Sequence, residues 1–221
     1  MNTSTMVRLA LLVNCACFGY GIGLLLTKFS YLQDEQYTEQ QVLERILLDS
    51  AYFSSWHIVI YLVFGLSLLS LTINLFITAK KHSPHLATGL LVMGGIWSGF
   101  MLLSGGLAIE LLNQVADIYP NDPEFGTQIW ITGQLLLESI GGGNELIGAV
   151  WVALIALLLP KHKGLSTLTK WLGLLIAATG TGTLFDSTET LASLFGITLI
   201  IWFLLLYCVS PNVIAAWKQA E

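Results

Sequence analysis

Long apolar stretches alternate with short polar segments along this chain. Asp, Glu, Lys and Arg are all absent from four windows, at residues 9–27, 50–79, 82–109 and 190–217. Each window can supply the roughly 20 residues that a membrane-spanning helix needs. The apolar runs are continuous, whereas the strands of a membrane barrel alternate between apolar and polar residues, so the pattern predicts helices.

The predicted architecture is an all-α membrane bundle of six transmembrane helices, forming a single domain over residues 1–221. The fifth predicted span contains Lys170, whose long side chain can reach the headgroups from a position near the end of a helix. The first span has no small-x-small cleavage site after it and is read as uncleaved. The six spans are predicted at 7–29, 56–79, 86–112, 140–160, 166–185 and 191–209.

A short amphipathic helix is predicted in the connection between the first two spans. Thr38 and Gln41 have the spacing of a capping box, in which each side chain binds a free backbone N–H at a helix start. The four apolar residues of the following segment share one helical face: Val42, Leu43, Ile46 and Leu47. We expect this helix to lie on the membrane surface or to cap the bundle from outside.

Composition and charge agree with a membrane protein and suggest its orientation. The chain is 55% hydrophobic and 10% charged, against about 25% charged residues in an average soluble domain. If the spans alternate, most basic residues fall on the side of the two termini, which predicts cytoplasmic termini. The opposite face is acidic, and no basic stripe suggests binding to nucleic acid. The basic residues on the terminal side are Arg8, Lys80, Lys81, Lys161, Lys163, Lys170 and Lys218.

The fourth predicted span carries two carboxylates around a glycine triplet. Glu138, Gly142 and Glu145 fall within about 60° of one another on a helix, so both acids share one face. Small residues on that face let helices approach closely, which predicts that it faces the bundle. The third span has a similar stripe, also expected to face the bundle: Gly95, Gly99, Leu102, Gly106 and Glu110.

The outer halves of several spans place polar side chains at a similar depth. The candidate ligand-binding residues are His57, Glu110, Glu138, Asn144, Glu145 and Thr181, with Asp186 close by. A carboxylate in the membrane is costly unless it is paired, hydrated or protonated, so such residues suggest a site. We expect Glu145 to be protonated near neutral pH until a cation binds. The competing interpretation places His57, Glu110 and Glu138 at the water boundary and gives Glu145 a threonine partner.

Two further predictions concern the interior of the bundle. Asn14 and Asn74 are expected to hydrogen-bond across the first two spans, because unpaired amides are costly in hydrocarbon. Three tryptophans, Trp97, Trp151 and Trp202, fall near mid-membrane rather than at the interfaces. They either fill space opposite glycines or form the apolar floor of a pocket.

Three classes of function remain open from the residues alone. The leading hypothesis is a non-enzymatic protein that binds a small polar, cationic or lipid-like ligand in an outward-facing pocket, to sense or transport it. The second is an intramembrane enzyme using His57 and the carboxylates, with or without a metal. The third is a structural subunit that packs against another membrane protein or a second copy. Membrane lipids are expected partners in each case, and no motif identifies a cofactor or a catalytic residue.

The C-terminal half, from about Gly94, contains two short motifs that resemble a known group of proteins. They are Gly141-Gly142-Gly143-Asn144-Glu145 at the start of the fourth span and Trp171-Leu172-Gly173 after a short basic loop. This arrangement resembles a family of bacterial six-span membrane proteins of unknown function. The resemblance implies a multi-pass location in the bacterial inner membrane and no known activity.

Overall fold

The fold is helical throughout the residues that the computed structural model describes, which are 2–34, 36–160, 164–185 and 190–219. A π-helical segment, Ile58–Val63, joins α3 to α4 in one continuous rod, and 3₁₀ turns cover Ser30–Gln33 and Thr183–Phe185. The helices are α1 (Thr3–Thr27), α2 (Glu39–Leu48), α3 (Ser50–His57), α4 (Phe64–Ala79), α5 (Pro84–Ile118), α6 (Pro123–Leu158), α7 (Leu165–Gly182) and α8 (Thr190–Gln219).

Five helices in the described part of the chain are long and apolar enough to cross a membrane. The protein is therefore an all-helical, multi-pass membrane protein by length and composition. α7 is less apolar than these five helices, because its 18 residues include several Ser and Thr side chains and Lys170. The five segments are Thr3–Thr27, Ser50–Ala79, Pro84–Ile118, Pro123–Leu158 and Thr190–Lys218.

The long helices form a closed ring in chain order. Each packs against its sequence neighbours, from α4 to α8, and α1 packs against both α4 and α8. Arg8 near the start of α1 donates to the hydroxyl of Tyr207 in α8. Trp217 near the end of α8 donates to the carbonyl of Leu158 in α6 at 3.0 Å. Both chain ends therefore lie at one end of the ring, which we call the terminus end.

Aromatic side chains fill the centre of this ring opposite glycines. The ring centroids of Trp97 and Trp151 lie 5.6 Å apart, and those of Trp151 and Trp202 lie 6.2 Å apart. A Cβ atom on Gly148 would lie 2.9 Å from the Trp97 ring, and one on Gly173 would lie 2.8 Å from Trp202 Nε1. The tryptophans are therefore space-filling groups, as one of the two interpretations predicts. We call these three indoles the tryptophan layer.

Two of these indoles also hold neighbouring helices together by hydrogen bonds. Trp151 Nε1 donates to Thr72 Oγ1 at 2.9 Å, which links α6 to α4. Trp202 Nε1 donates to the carbonyl oxygen of Thr169 at 2.8 Å, which links α8 to α7. A buried indole N–H needs such an acceptor, so these bonds fix the layer in one arrangement.

α8 continues through Pro211 to the end of the described chain, although proline lacks the backbone N–H of a helix. The carbonyl of Tyr207, four residues earlier, would lose its donor. Ser210 Oγ instead donates to that carbonyl at 3.1 Å. Trp217 is 1% exposed and packs inside the bundle, so this tail is part of the core.

The predicted bond between Asn14 and Asn74 is wrong. Asn74 Nδ2 donates to the Ser70 carbonyl of its own helix at 2.8 Å. Asn14 is fully buried, and neither of its amide atoms has a partner in the described structure. The helix register explains this result. Ser67 meets Ala10, and the two asparagines lie on opposite sides of that contact, about 16 Å apart along the axis.

The glycines of the predicted packing stripe on the third span do not contact another helix, although Leu102 of that stripe packs against Gly65 in α4. A Cβ atom on Gly95, Gly99 or Gly106 would meet nothing within 4 Å. The glycines that approach another helix closely are Gly94, against Thr72 and Trp151, and Gly105, against Tyr61 and Leu62. The face that contacts the bundle is therefore offset by one residue from the predicted one.

A second apolar cluster covers the other end of the ring, which we call the cap end. The apolar face of α2 packs there with residues from four neighbouring elements: Phe29, Tyr31, Leu43, Ile46, Phe53, Leu111, Leu112, Val115 and Trp130. Tyr119, after α5, donates to Glu44 Oε1 in α2 at 2.7 Å. The helix predicted between the first two spans therefore exists and is attached to the bundle.

The capping box of α2 is present and gives a local prediction. Gln41 N donates to Thr38 Oγ1 at 3.3 Å, and Thr38 N donates to Gln41 Oε1 at 2.9 Å. We expect Thr38→Ala to destabilise α2 by about 1 kcal/mol, as a lost N-cap does. Hydrogen exchange should be faster in the first turn of α2.

The matched control is Thr127→Ala, because the Thr127 hydroxyl donates only to the carbonyl one turn earlier in its own helix. Unchanged exchange at the start of α2 in Thr38→Ala would show that packing alone maintains this helix.

Candidate functional site

His57 lies in a stack of aromatic rings where α3 meets the π-helical segment. It is 7% exposed, and its Nδ1 lies 2.9 Å from the carbonyl oxygen of Phe53. Since a carbonyl only accepts, Nδ1 carries the hydrogen. The His57 ring is 4.2 Å from that of Phe53 and 5.3 Å from that of Tyr61, nearly parallel to the latter at 7°. His57 therefore holds the Tyr61 ring in place.

Tyr61 lies at one end of this stack. It belongs to the π-helical segment, a geometry that is often found at functional sites. A Cβ atom on Gly105 would lie 2.7 Å from Tyr61 Cβ, so Tyr61 packs against α5. Glu145 is half-buried and lies about one turn before Gly148, which packs on Trp97 of the tryptophan layer. The acid therefore lies within the bundle, close to that layer.

Asn144 adds a buried acceptor to the same region. It is 8% exposed, and its Oδ1 has no hydrogen-bond partner in the described structure. It lies one turn before Gly148 on the face of α6 that packs on α5, where Trp97 Nε1 and Ser104 Oγ are also buried without partners. Buried polar atoms are almost always hydrogen-bonded, so this cluster requires an explanation.

The structure does not bring Glu138, Glu110 and Thr181 into this region. All three side chains are exposed. Glu110 Oε1 accepts from Gln114 Nε2 at 2.9 Å, and Thr181 Oγ1 donates to the Ala177 carbonyl at 2.8 Å. Glu110 is exposed because it belongs to the stripe of α5 that faces away from the bundle.

The exposure of Glu138 follows from the length of α7. Gly173 packs against Ala156, and Gly180 packs against Ala149. These two contacts show that α6 and α7 run antiparallel, and they place the end of α7 near the level of Ile147 in α6. Glu138 lies more than two turns beyond that level, whereas Glu145 lies within one turn of it, at the level of the 3₁₀ turn Thr183–Phe185 that packs on α6. Glu138 and Glu145 therefore share a face of α6, but Glu138 is exposed and Glu145 is half-buried.

The structure says little about the remaining predicted chemistry. No group of three or more His, Cys, Asp and Glu side chains suitable for a metal exists among the residues that the structure describes. Asp186 lies outside the described residues, and the side-chain surroundings of residues 141–143 in α6 are outside the description as well.

Sequence reasoning missed Tyr61, whose ring stacks on that of His57. The available signal was its position four residues after a histidine in an aromatic-rich span, since such residues share a helical face. The π-helical turn has no sequence signature of its own. No protein-family model, curated protein or solved structure matches this chain, so the geometry alone supports a functional argument.

Proposed function

We propose that this protein is a six-span protein of the bacterial inner membrane that binds a small polar or cationic ligand in the outer half of its bundle. Both termini would be cytoplasmic, α7 would be the fifth span, and α2 would lie outside. Support comes from the charges at the two ends of the ring. Arg8, Lys80, Lys81 and Lys218 belong to the terminus end, where the positive-inside rule expects the cytoplasm.

This topology can be tested with single cysteines in a variant that lacks the three native ones. We expect Gln36→Cys, beside α2, to react with a membrane-impermeant maleimide in intact spheroplasts. Ser83→Cys, between α4 and α5, should react only after the membrane is permeabilised. Labelling at Ser83→Cys but not at Gln36→Cys in intact spheroplasts would contradict the proposed orientation.

The observation that carries the binding proposal is the group formed by Glu145 and Asn144, which are adjacent in α6. The half-buried carboxylate neighbours an amide oxygen that is buried without a donor in the described structure. A bound ligand with donor groups or positive charge would satisfy this arrangement. The tryptophan layer lies on the cytoplasmic side of the group and fills the ring, which favours binding or sensing over an open channel.

The enzyme hypothesis has less support from the geometry. The Nδ1 atom of His57 is engaged by the Phe53 carbonyl, and the exposed Glu110 and Glu138 do not share its surroundings. A role as a structural subunit remains an alternative. It predicts that Glu145 contributes to assembly and leaves ligand binding unaffected.

The binding proposal is tested by thermal unfolding of the purified protein in a neutral detergent. Chloride salts of Na⁺, K⁺, Mg²⁺, Ca²⁺, choline and n-butylammonium would be compared at equal ionic strength. We expect at least one cation to raise the unfolding temperature, and Glu145→Gln to abolish this rise, because it removes the charge and keeps the shape.

Glu138→Gln is the matched control, since it makes the same change on the same helix at an exposed position. It should respond to the cation as the wild type does. No response to any cation, or the same response in Glu145→Gln, would contradict the proposal.

A further inference from the structure

Arg8 places a positive charge on a half-buried side chain at the seam between α1 and α8. The two helices run antiparallel there, because Arg8 donates to the hydroxyl of Tyr207 and Cys15 Sγ lies 3.9 Å from the carbonyl oxygen of Ile200. Arg8 Cζ also lies 4.2 Å from the centroid of the Tyr207 ring. These contacts fix the guanidinium group beside one aromatic side chain of α8.

The guanidinium group of Arg8 has no carboxylate partner in the described structure. The one ion pair among the described residues joins Lys28 and Asp49, at the other end of α1. A guanidinium has five N–H donors. One of its nitrogens donates to Tyr207, and Nε is buried without an acceptor. A charged side chain within a membrane helix is costly unless it is paired, so we expect an anion from outside the described chain.

Arg8 lies at a depth that a lipid headgroup can reach. It is five residues after the first residue of α1, about 8 Å along the helix axis. Both α1 and α8 are long and apolar enough to cross the membrane. On the outward side of the seam, Leu12 and Leu204 are 44% and 46% exposed. Both leucines lie deeper in the membrane than Arg8, where the acyl chains of a lipid bound at Arg8 would pass.

The chemistry of the two polar side chains favours a phosphate. The planar guanidinium matches phosphate oxygens with two parallel hydrogen bonds. The Tyr207 oxygen accepts from Arg8, so its hydroxyl hydrogen is available to a further acceptor. The headgroups of phosphatidylcholine and phosphatidylethanolamine also carry a cation, for which the described part of the seam offers no carboxylate. The charge balance therefore favours a headgroup with a net negative charge.

We propose that the seam between α1 and α8 is a binding site for an anionic phospholipid. Arg8 and Tyr207 hold its phosphate, and its acyl chains lie against Leu12 and Leu204. Basic groups between transmembrane helices are known to bind anionic headgroups. This site goes beyond the proposed function and does not depend on it, because it uses none of the residues of the Glu145 site.

The test is native mass spectrometry of the full-length protein in a neutral detergent. The protein is titrated with dioleoylphosphatidylglycerol or with dioleoylphosphatidylcholine, which have the same acyl chains. We expect the first phosphatidylglycerol to bind roughly tenfold more tightly than the first phosphatidylcholine, as one hydrogen bond to a charged group implies. Inorganic phosphate at millimolar concentration should not displace it, because the site also binds the acyl chains.

Three variants change the two polar side chains, and a fourth is the control. Arg8→Gln should abolish the preference for phosphatidylglycerol. Arg8→Lys keeps the charge but not the planar fork, so it should keep only part of the preference. Tyr207→Phe keeps the ring beside Arg8 and should weaken phosphatidylglycerol binding severalfold. Lys80→Gln removes an exposed charge at the same end of the bundle and should bind as the wild type does.

Several results would overturn this site. They are equal binding of the two lipids by the wild type, a wild-type preference in Arg8→Gln, or an equal loss of preference in Lys80→Gln, which would indicate attraction to the overall charge of this end. Displacement by inorganic phosphate would assign the site to the free anion instead of a lipid. If Arg8→Gln does not fold, a wild-type preference in both Arg8→Lys and Tyr207→Phe would overturn the proposal.

Discussion

Gly94→Ala should lower the free energy of unfolding more than the same change at the next residue. A Cβ atom at Gly94 would lie 2.7 Å from Trp151 Nε1 and would also overlap Thr72. These two groups form the hydrogen bond that links α6 to α4, so neither can move away freely. Overpacking of this kind typically costs about 1–3 kcal/mol.

Gly95→Ala is the matched control, because a Cβ atom there meets nothing within 4 Å. Both variants gain the same helix propensity from alanine, up to about 1 kcal/mol. The difference between their unfolding free energies, measured by circular dichroism in detergent, therefore isolates the clash. Equal stabilities, or a larger loss at Gly95, would show that α5 presents another face to the bundle.

Asn14→Leu should raise the free energy of unfolding. Asn14 is fully buried in α1, and both amide atoms lack partners in the described structure. Leaving buried polar groups unsatisfied costs about 1–3 kcal/mol, whereas an apolar side chain with the same branching avoids this penalty. The stabilisation should appear as a higher unfolding temperature in detergent and in nanodiscs.

Asn74→Leu serves as the control for this change. Asn74 is half-buried, and its amide donates only to the Ser70 carbonyl in its own helix, so the effect should stay within about 0.5 kcal/mol. A clear loss of stability in Asn14→Leu would mean that the Asn14 amide is hydrogen-bonded in the folded protein, and that it contributes to the bundle.

Much of the helical architecture could be predicted from the sequence. The charge-free windows located four of the five long apolar helices, and the Thr38 and Gln41 pair located the start of α2. The boundaries differ because apolar character does not determine where a helix ends. Pro84 starts α5 close to the predicted span, whereas Pro123 starts α6 far before the span predicted at 140–160, since proline is favoured in the first turn.

The packing faces could not be predicted in the same way. In a soluble helix the apolar stripe identifies the buried face, but a membrane helix is apolar on both its lipid and protein sides. The glycines of α5 therefore offered two adjacent stripes. The one chosen, with Gly95 and Gly99, faces outward, whereas Gly94 and Gly105 face the bundle.

The candidate site was predicted only in part, for a related reason. Glu145, Asn144 and His57 were identified because polar residues within spans are conspicuous. Glu138 and Glu110 were grouped with them because their depth and helical face suggested the same pocket. Depth and face do not determine which neighbouring helix covers a residue, and the end of α7 separates the surroundings of Glu138 from those of Glu145.

The most direct test of the binding site is a high-resolution cryo-electron microscopy map of the protein in nanodiscs with the cation that stabilises it most in thermal unfolding. We expect density for a small molecule in contact with the Glu145 carboxylate and Asn144 Oδ1, between the tryptophan layer and the apolar cluster at the cap end. The same map of Glu145→Gln should lack it. A dry interior with these side chains packed on each other, or a Glu145 carboxylate that points into solvent or lipid, would contradict the proposed site.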